Sequence, residues 1–313
     1  MSTITTDSVS VVIPVYNNAD TLEELVERLR SVLADEAKFE VILVDDGSHD
    51  RSWETANKLA NDDDRVIAIR LSRNFGQHRA LTAGLHRASG DVVVFMDADL
   101  EDRPETIPQL LAEFADTSLD VVYTKWETPG LKPSPTSRLF NWTYARMTGV
   151  EMPANLGAFR AFRSNVAEAL RSYGEKGIVY STAMPQMGFS SKFVTVDRDD
   201  PGSESSYTIR KRLKLASQIL ISYSDLPHRL ITSSGIGLSV VAAFYLVFVL
   251  VQFMFGQQLP DGLTLILGVT VLLSGVLLFT VGVLSAYTYR IYQEVLGRPR
   301  YHVARTSGLG LGD

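Results

Sequence analysis

The sequence has no cysteine among its 313 residues, which excludes a disulfide framework, a thiolate nucleophile and any Cys-based zinc or iron–sulfur centre. No Gly-x-Gly-x-x-Gly follows the first strand-like run, and no Walker lysine motif occurs, so dinucleotide and P-loop readings find no support. The first residues, MSTITTDSVSVV, lack a basic stretch and a long apolar stretch, so no signal peptide is expected. The formal net charge of −6 argues against a general nucleic-acid binder. With 45% apolar and 21% charged residues, disordered and collagen-like classes are excluded as well. The length allows about two domains at roughly 150 residues each.

One further scarcity is local. No charged residue occurs from Leu230 to Pro260, and none from Gly262 to Tyr289. Each run exceeds the roughly 20 apolar residues needed to cross a hydrocarbon core. The mean hydropathy of +0.05 conceals both. The segment GQQLPDG between them is short enough for the turn of a helical hairpin, with spans over about 230–255 and 263–287. Residues 206–229 hold Arg210, Lys211, Arg212, Lys214 and Arg229 against Asp225 alone. Residues 290–313 hold Arg290, Arg298, Arg300 and Arg305 against Glu294 and Asp313, while the turn holds only Asp261. The positive-inside rule then predicts an integral protein of the cell membrane with both termini and residues 1–205 in the cytoplasm. Residues 206–229, basic first and apolar after, suit amphipathic helices at the membrane surface. Gly235, Gly237, Gly268, Ser274, Gly275 and Gly282 would suit close helix packing within one chain or between copies in a homo-oligomer.

Residues 1–205 alternate β-branched runs with helical patterns. Strands are predicted at Val9–Ile13, Glu40–Val44, Val66–Leu71, Val92–Met96 and Asp120–Thr124. Helices are predicted from a capping-box-like Asp20-Thr-Leu-Glu23, over 51–61, over 77–88 with Gly90 closing its C-terminal end, and after Pro104-Glu105. Continuous apolar strands imply a mostly parallel α/β sheet covered on both faces, with ligands bound beyond the carboxyl ends of its strands. Residues 127–137, ETPGLKPSPTS, read as a mobile loop beside that edge.

Acidic residues stand at those strand ends. Asp97 and Asp99, one residue apart after an apolar strand, could grip one hard divalent cation, with Glu101 adding a ligand and a diphosphate completing the shell. Mg2+ or Mn2+ there would neutralise charge on a leaving nucleoside diphosphate. Asp45 and Asp46, before Gly47, could accept hydrogen bonds from a nucleobase or ribose. Pro14, Tyr16 and Asn17 end the first strand in a similar way, and Tyr16 could stack on a base. Each set could also be a polar turn.

The motifs Ser10-Val-Val-Ile-Pro-Val-Tyr-Asn17, Val44-Asp-Asp-Gly-Ser48, Arg73-Asn-Phe-Gly-Gln-His78 and Asp97-Ala-Asp-Leu-Glu101 resemble, in that order, those of inverting family 2 glycosyltransferases. With the hairpin and the tail Gly297-Arg-Pro-Arg-Tyr301, the chain resembles the membrane-bound polyprenyl-phosphate branch of that family. That branch includes dolichol-phosphate mannose synthase and the undecaprenyl-phosphate glucose and aminoarabinose transferases. The resemblance implies a Rossmann-like GT-A domain, a nucleotide-sugar donor, and undecaprenyl or dolichyl phosphate as acceptor. It also implies that Arg138 and Arg160 match basic positions of the family and are catalytic together with Asp99. Guanidinium groups holding both the acceptor phosphate and the leaving diphosphate would lower the barrier their repulsion creates.

The chain departs from the pattern at Glu101, where relatives often have Gln, at Ala158, where many have Asp, and at Ser206, where Lys is common. Two other readings stay open: a hydroxyl acceptor, which would demand a general base, and a non-catalytic nucleotide-binding scaffold. Against processive synthases, the sequence has no Gln-x-x-Arg-Trp motif.

Overall fold

The computed structural model describes residues 8–34, 38–126, 156–173, 179–196, 251, 254–255, 262–296 and 299–308. The chain divides into two units, Met1–Ser205 with Pro299–Asp313, and Ser206–Arg298. The first unit carries strands β1 (Val9–Val15), β2 (Phe39–Asp45), β3 (Val66–Leu71), β4 (Val92–Phe95), β5 (Val121–Trp126), β6 (Leu156–Arg163), β7 (Ser191–Val196) and β8 (Val303–Ser307). Its helices are α1 (Ala19–Val32), α2 (Ser52–Asp62), α3 (Gln77–Arg87), α4 (Ile107–Glu113), α5 (Ser164–Ser172) and α6 (Tyr180–Gln186).

The strands form one sheet in the order β7-β5-β6-β4-β1-β2-β3-β8. Its centre is parallel: β1 pairs with β2 and β4, and β2 with β3. Both flanks depart from parallel pairing, because β6 runs antiparallel between β4 and β5, and β8 runs antiparallel to β3.

The two faces sort by alternate residues, as a period of two requires. Val11, Ile13, Val41 and Leu43 enter one core cluster, with Leu22, Leu25, Val26 and Leu29 of α1. Val12, Ile42 and Val44 enter the other, with Ala80, Leu81 and Leu85 of α3. Each such aliphatic side chain contributes about 1.5–3 kcal/mol when withdrawn from water. Helix α3 lies unusually close to the sheet, since a Cβ on Gly84 would sit 2.3 Å from Val12 Cγ1.

Two predicted helix ends are corrected. Helix α1 is preceded by Asn18 as N-cap without any side-chain capping bond, so Asp20 and Glu23 form no capping box. Instead the Thr21 hydroxyl donates to the Ala98 carbonyl at 2.6 Å, tying α1 to the Asp97–Asp99 turn. Helix α3 ends on Ala88, and Gly90 is not left-handed. A Cβ on Gly90 would stand 2.7 Å from Ser10 N, so its smallness admits β1.

An ion-pair cluster ties the last turn of α1 to the C-terminal end of α2. Asp63 accepts from Arg30 Nε at 2.7 Å and from Arg65 Nη2 at 2.9 Å. The Arg65 hydrogen bond leads in holding its carboxyl down to about 2, against burial. A depressed carboxyl stabilises the fold above its unfolded value near 3.8 and loses that contribution as pH falls toward 2. Thermal unfolding as a function of pH should show Asp63→Asn lacking about 2 kcal/mol of stability at pH 6, with the difference vanishing near pH 2.

The second unit is described through helix α7 (Gly262–Val295), 34 residues and about 50 Å long at 1.5 Å per residue. Ile266, Leu273, Leu277 and Leu284 are exposed on it. Among the described residues no helix is long and apolar enough to cross a membrane. The side chains of Leu265, Leu267, Val271 and Leu272, among others, lie outside that set. The span expected over 263–287 therefore rests on the sequence. Residues 206–250, where the juxtamembrane helices and most of the first span are expected from the sequence, lie outside the described residues, as do residues 127–137 and Arg138.

Candidate active site

The parallel strands β1, β2 and β4 end together, and the chain changes direction across the sheet between β2 and β4, with β1 at the switch. Open α/β sheets bind ligands there. A cavity of about 310 Å³ occupies the place, lined by the 14–16 turn, Asn18, Asp46, Asn74, Gly76, Gln77 and the 97–99 turn. Two backbones beside it are strained: Asn17 and Leu100 are left-handed without being glycine, at φ 56° and 60°.

Of the residues predicted from sequence, Pro14, Tyr16, Asp46, Asp97 and Asp99 line this cavity. Tyr16 is 42% exposed and lies in an edge-to-face contact with His49, ring centroids 6.4 Å apart. Asp97 Oδ1 accepts from Gln77 Nε2 at 2.5 Å. Asp99 Oδ1 accepts from the Glu101 amide at 3.1 Å, which closes the turn through left-handed Leu100.

The other predicted residues do different work. Asn17 Oδ1 accepts from the His49 amide, and the Asn17 amide donates to Ser48 Oγ. Asp45 is fully buried; its Oδ1 accepts from the Ser48 amide, and its Oδ2 lies 3.3 Å from Arg70 Nε in an ion pair without hydrogen-bond geometry. Asp45 and Asn17 therefore build the turn, and neither lines the cavity. Asp46 is divided between roles. Its two oxygens accept from the Phe75 and Gly76 amides, each at 2.7 Å, so it holds the 72–77 loop against the cavity it helps to line. Burial pushes its carboxyl above the ordinary value, while those two amides pull it back.

Gly47 permits that arrangement. It is left-handed at φ 71°, and a Cβ there would stand 2.6 Å from Arg73 C and 2.7 Å from Asn74 N, both backbone atoms. Gly47→Ala should cost about 2 kcal/mol in urea unfolding and weaken nucleotide binding through the displaced loop. Gly76→Ala also puts a side chain at positive φ, 98°, but meets nothing within 4 Å, so any cost there comes from the backbone and not from a clash.

Glu101 does not line the cavity, and among the described residues no group of three or more His, Asp or Glu is placed to hold a metal ion. The protein alone therefore offers an incomplete shell, two hard carboxylates on one wall, and this fits a cation whose remaining ligands come with a diphosphate. Asp102 supports the fit. It is buried, its Oδ1 has no hydrogen-bond partner, and its carboxyl is raised to about 7 by burial and then by Asp97 and Asp99. A cation between Asp97 and Asp99 would relieve that crowding.

Arg160 lies on β6, 4% exposed. Its Nε donates to the Ala158 carbonyl at 2.8 Å, its Nη2 to the Gly157 carbonyl at 3.1 Å, and its guanidinium stands 5.8 Å from the Tyr123 ring. Burial lowers its pKa, while Tyr123, Asp97 and Asp102 oppose that shift. It is not among the cavity-lining residues. His78, beside it, is lowered to about 4 by burial and then by Arg160, so it is neutral at working pH. Sequence reasoning missed Asn18, Asn74, Gly76 and Gln77 as cavity residues. The last three sit inside the quoted Arg73–His78 motif, which was the available signal.

Residues 10–171 match the family described as Glycosyl transferase family 2. The chain belongs to that family. It is an enzyme, a glycosyltransferase, and its mixed, Rossmann-like α/β sheet is the GT-A fold. It is 34% identical over 318 residues to a Pseudomonas paraeruginosa protein named undecaprenyl-phosphate 4-deoxy-4-formamido-L-arabinose transferase, covering 96% of this chain and 90% of that one. A Pectobacterium atrosepticum protein of the same name is 35% identical over 313 residues, covering 96% and 93%. The uncharacterized glycosyltransferase YkcC of Bacillus subtilis is 32% identical over 306 residues, covering 96% and 94%. A solved mycobacterial protein shares the fold with a TM-score of 0.50 at 20% identity, over 68% of this chain and 72% of its own.

Proposed function

We propose that this glycosyltransferase moves a sugar, with inversion, from a nucleotide-sugar donor to a polyprenyl phosphate at the cytoplasmic face of a membrane. The observation that carries the reading is the extent of the likeness. Identity of 34–35% to relatives named for an undecaprenyl-phosphate acceptor runs over 96% of the chain, well past the family domain at residues 10–171 and through both uncharged runs.

The tail constrains the membrane part of this reading. Strand β8 pairs with β3, so the tail after residue 298 belongs to the same compact unit as the strands before residue 206. A single crossing by α7 would put β8 on the wrong side of the membrane. Two crossings, one over 263–287 and one over the uncharged stretch 230–255, would return the tail to the side of the sheet.

Chemically, the acceptor phosphate is already ionised near neutral pH. One of its oxygens attacks the anomeric carbon, a new carbon–oxygen bond forms there, and the bond to the nucleoside diphosphate breaks with its electron pair. No proton has to be removed from the nucleophile, so positioning and electrostatics suffice. Asp97 and Asp99 would hold Mg2+ or Mn2+, which would stabilise charge on the departing diphosphate. Tyr16 and Asn18 would meet the nucleoside, and Arg138 the phosphates. Arg160 acts from behind by holding the charge of Asp97 and Asp102.

The test uses the full-length protein in lipid nanodiscs, a panel of UDP- and GDP-sugars, and a short polyprenyl phosphate, reading both lipid product and released nucleotide. Metal-dependent release that requires the lipid phosphate is expected. Release driven instead by a diacylglycerol or oligosaccharide hydroxyl, or no release with any donor, would overturn the reading.

A further inference from the structure

The tail strand reaches farther than the edge of the sheet. From Arg305 onward β8 pairs regularly with β3, with Arg70 opposite Arg305 and Ile69 opposite Thr306. The register then slips, so that Leu71 faces Val303 and Ala304 is the extra residue of a bulge. Beyond the bulge the tail follows the chain leaving β3. The Ser72 amide donates to the His302 carbonyl at 2.9 Å, and the His302 ring stands 6.4 Å from the Phe75 ring. Tyr301 and Phe75 both pack on the α3-side core. Arg300 Nη2 donates to the Tyr173 carbonyl. At the other end Gly308 is left-handed at φ 87°, and a Cβ there would stand 2.2 Å from the Val66 carbonyl oxygen.

The segment that His302 backs, with Tyr301 packed on the same core cluster as Phe75, is the loop from Ser72 to Gln77. Its outer side lines the cavity through Asn74, Gly76 and Gln77. Its amides at Phe75 and Gly76 are held by Asp46 alone from the β2 end. The loop is thus clamped between Asp46 on one side and the tail on the other.

We propose that Tyr301 and His302 are positioning residues for donor binding, setting the 72–77 loop in the conformation that presents Asn74, Gly76 and Gln77 to the nucleotide diphosphate. The inference rests on the cavity being the donor site. It assigns the tail a part in the reaction that its distance in sequence, more than 200 residues from the loop, conceals.

The experiment compares the full-length protein in nanodiscs with Tyr301→Ala/His302→Ala and with Thr306→Ala, which alters β8 away from the loop. UDP and GDP binding in the presence of Mn2+ is measured by calorimetry, amide hydrogen exchange is followed at Phe75 and Gly76, and thermal unfolding is recorded for each variant. The double variant should bind the preferred nucleotide about 5–20-fold more weakly and exchange those two amides at least about tenfold faster. Thr306→Ala should match the unaltered protein in both. Equal exchange and equal affinity in the double variant would overturn the proposal. So would the same losses in Thr306→Ala, which would mark a merely structural strand. If the double variant does not fold, His302→Ala alone is read by the same two measurements. Absence of binding by the unaltered protein, with exchange at the loop still responding to the tail, would instead count against the donor site itself.

Discussion

Asp99→Asn should lower turnover by at least about a hundredfold with saturating Mg2+ or Mn2+, while leaving the fold intact. The substitution is nearly isosteric. Asn keeps an oxygen that accepts from the Glu101 amide, so the turn through left-handed Leu100 survives. What disappears is one of three carboxylate charges on the cavity wall, and with it one member of the Asp97–Asp99 pair. Asp99 also helps to raise Asp102, so removing its charge should bring the Asp102 carboxyl down from about 7. Unfolding midpoints equal to or slightly above those of the unaltered protein are therefore expected beside the lost turnover. Steady-state assays across a metal titration check this. Full turnover in the variant at saturating metal would show the cation assignment to be wrong.

Arg160→Met should be costly in a different way, losing about 3 kcal/mol of stability as well as turnover. The guanidinium satisfies the Gly157 and Ala158 carbonyls in the interior, and methionine leaves both without those donors. It also removes the cation that opposes the charges of Asp97 and Asp102, so uncompensated carboxylates would remain near the Asp97–Asp99 turn. Arg160→Lys should rescue little, since an ammonium cannot reproduce the planar fork. Two titrations report the mechanism. Without Arg160 nearby, His78 should rise from about 4, and Asp102 should rise above about 7. A variant with native stability and unshifted His78, yet no turnover, would mean that Arg160 works by touching a phosphate.

The candidate site was readable in the sequence wherever chemistry and strand ending coincided. Asp97-Ala-Asp99 follows a run of four buried strand residues, and an apolar strand that stops on carboxylates can only place them at the sheet's edge. The same logic placed Pro14, Tyr16 and Asp46. It could not divide Asp45 from Asp46, because which of two adjacent side chains points inward is settled by the partners that surround it. Asp45 turns in to Arg70 and Ser48, whereas Asp46 turns to the 72–77 loop. Nor could it foresee the burial of Arg160. Arg on a strand reads as exposed until β6 is seen as an interior strand, with Phe159 and Ala161 in one core cluster and Phe162 in the other.

What the sequence determined by itself was local or cumulative: the parallel β1–β4 core, α1 to α3, the acidic strand ends and the two uncharged runs. Each of these is written in consecutive residues, as a period, a charge pattern or a length. The tertiary structure decided the rest. Val303–Ser307 is a mostly exposed edge strand without a clear apolar alternation, so nothing in its five residues announces pairing with β3. That pairing depends on an unfilled edge supplied by residues more than 200 positions earlier, and it is what sets Tyr301 and His302 against the loop of the cavity. A run without charge is legible residue by residue, whereas the return of the tail to the sheet is a long-range pairing that only the folded β3 edge decides.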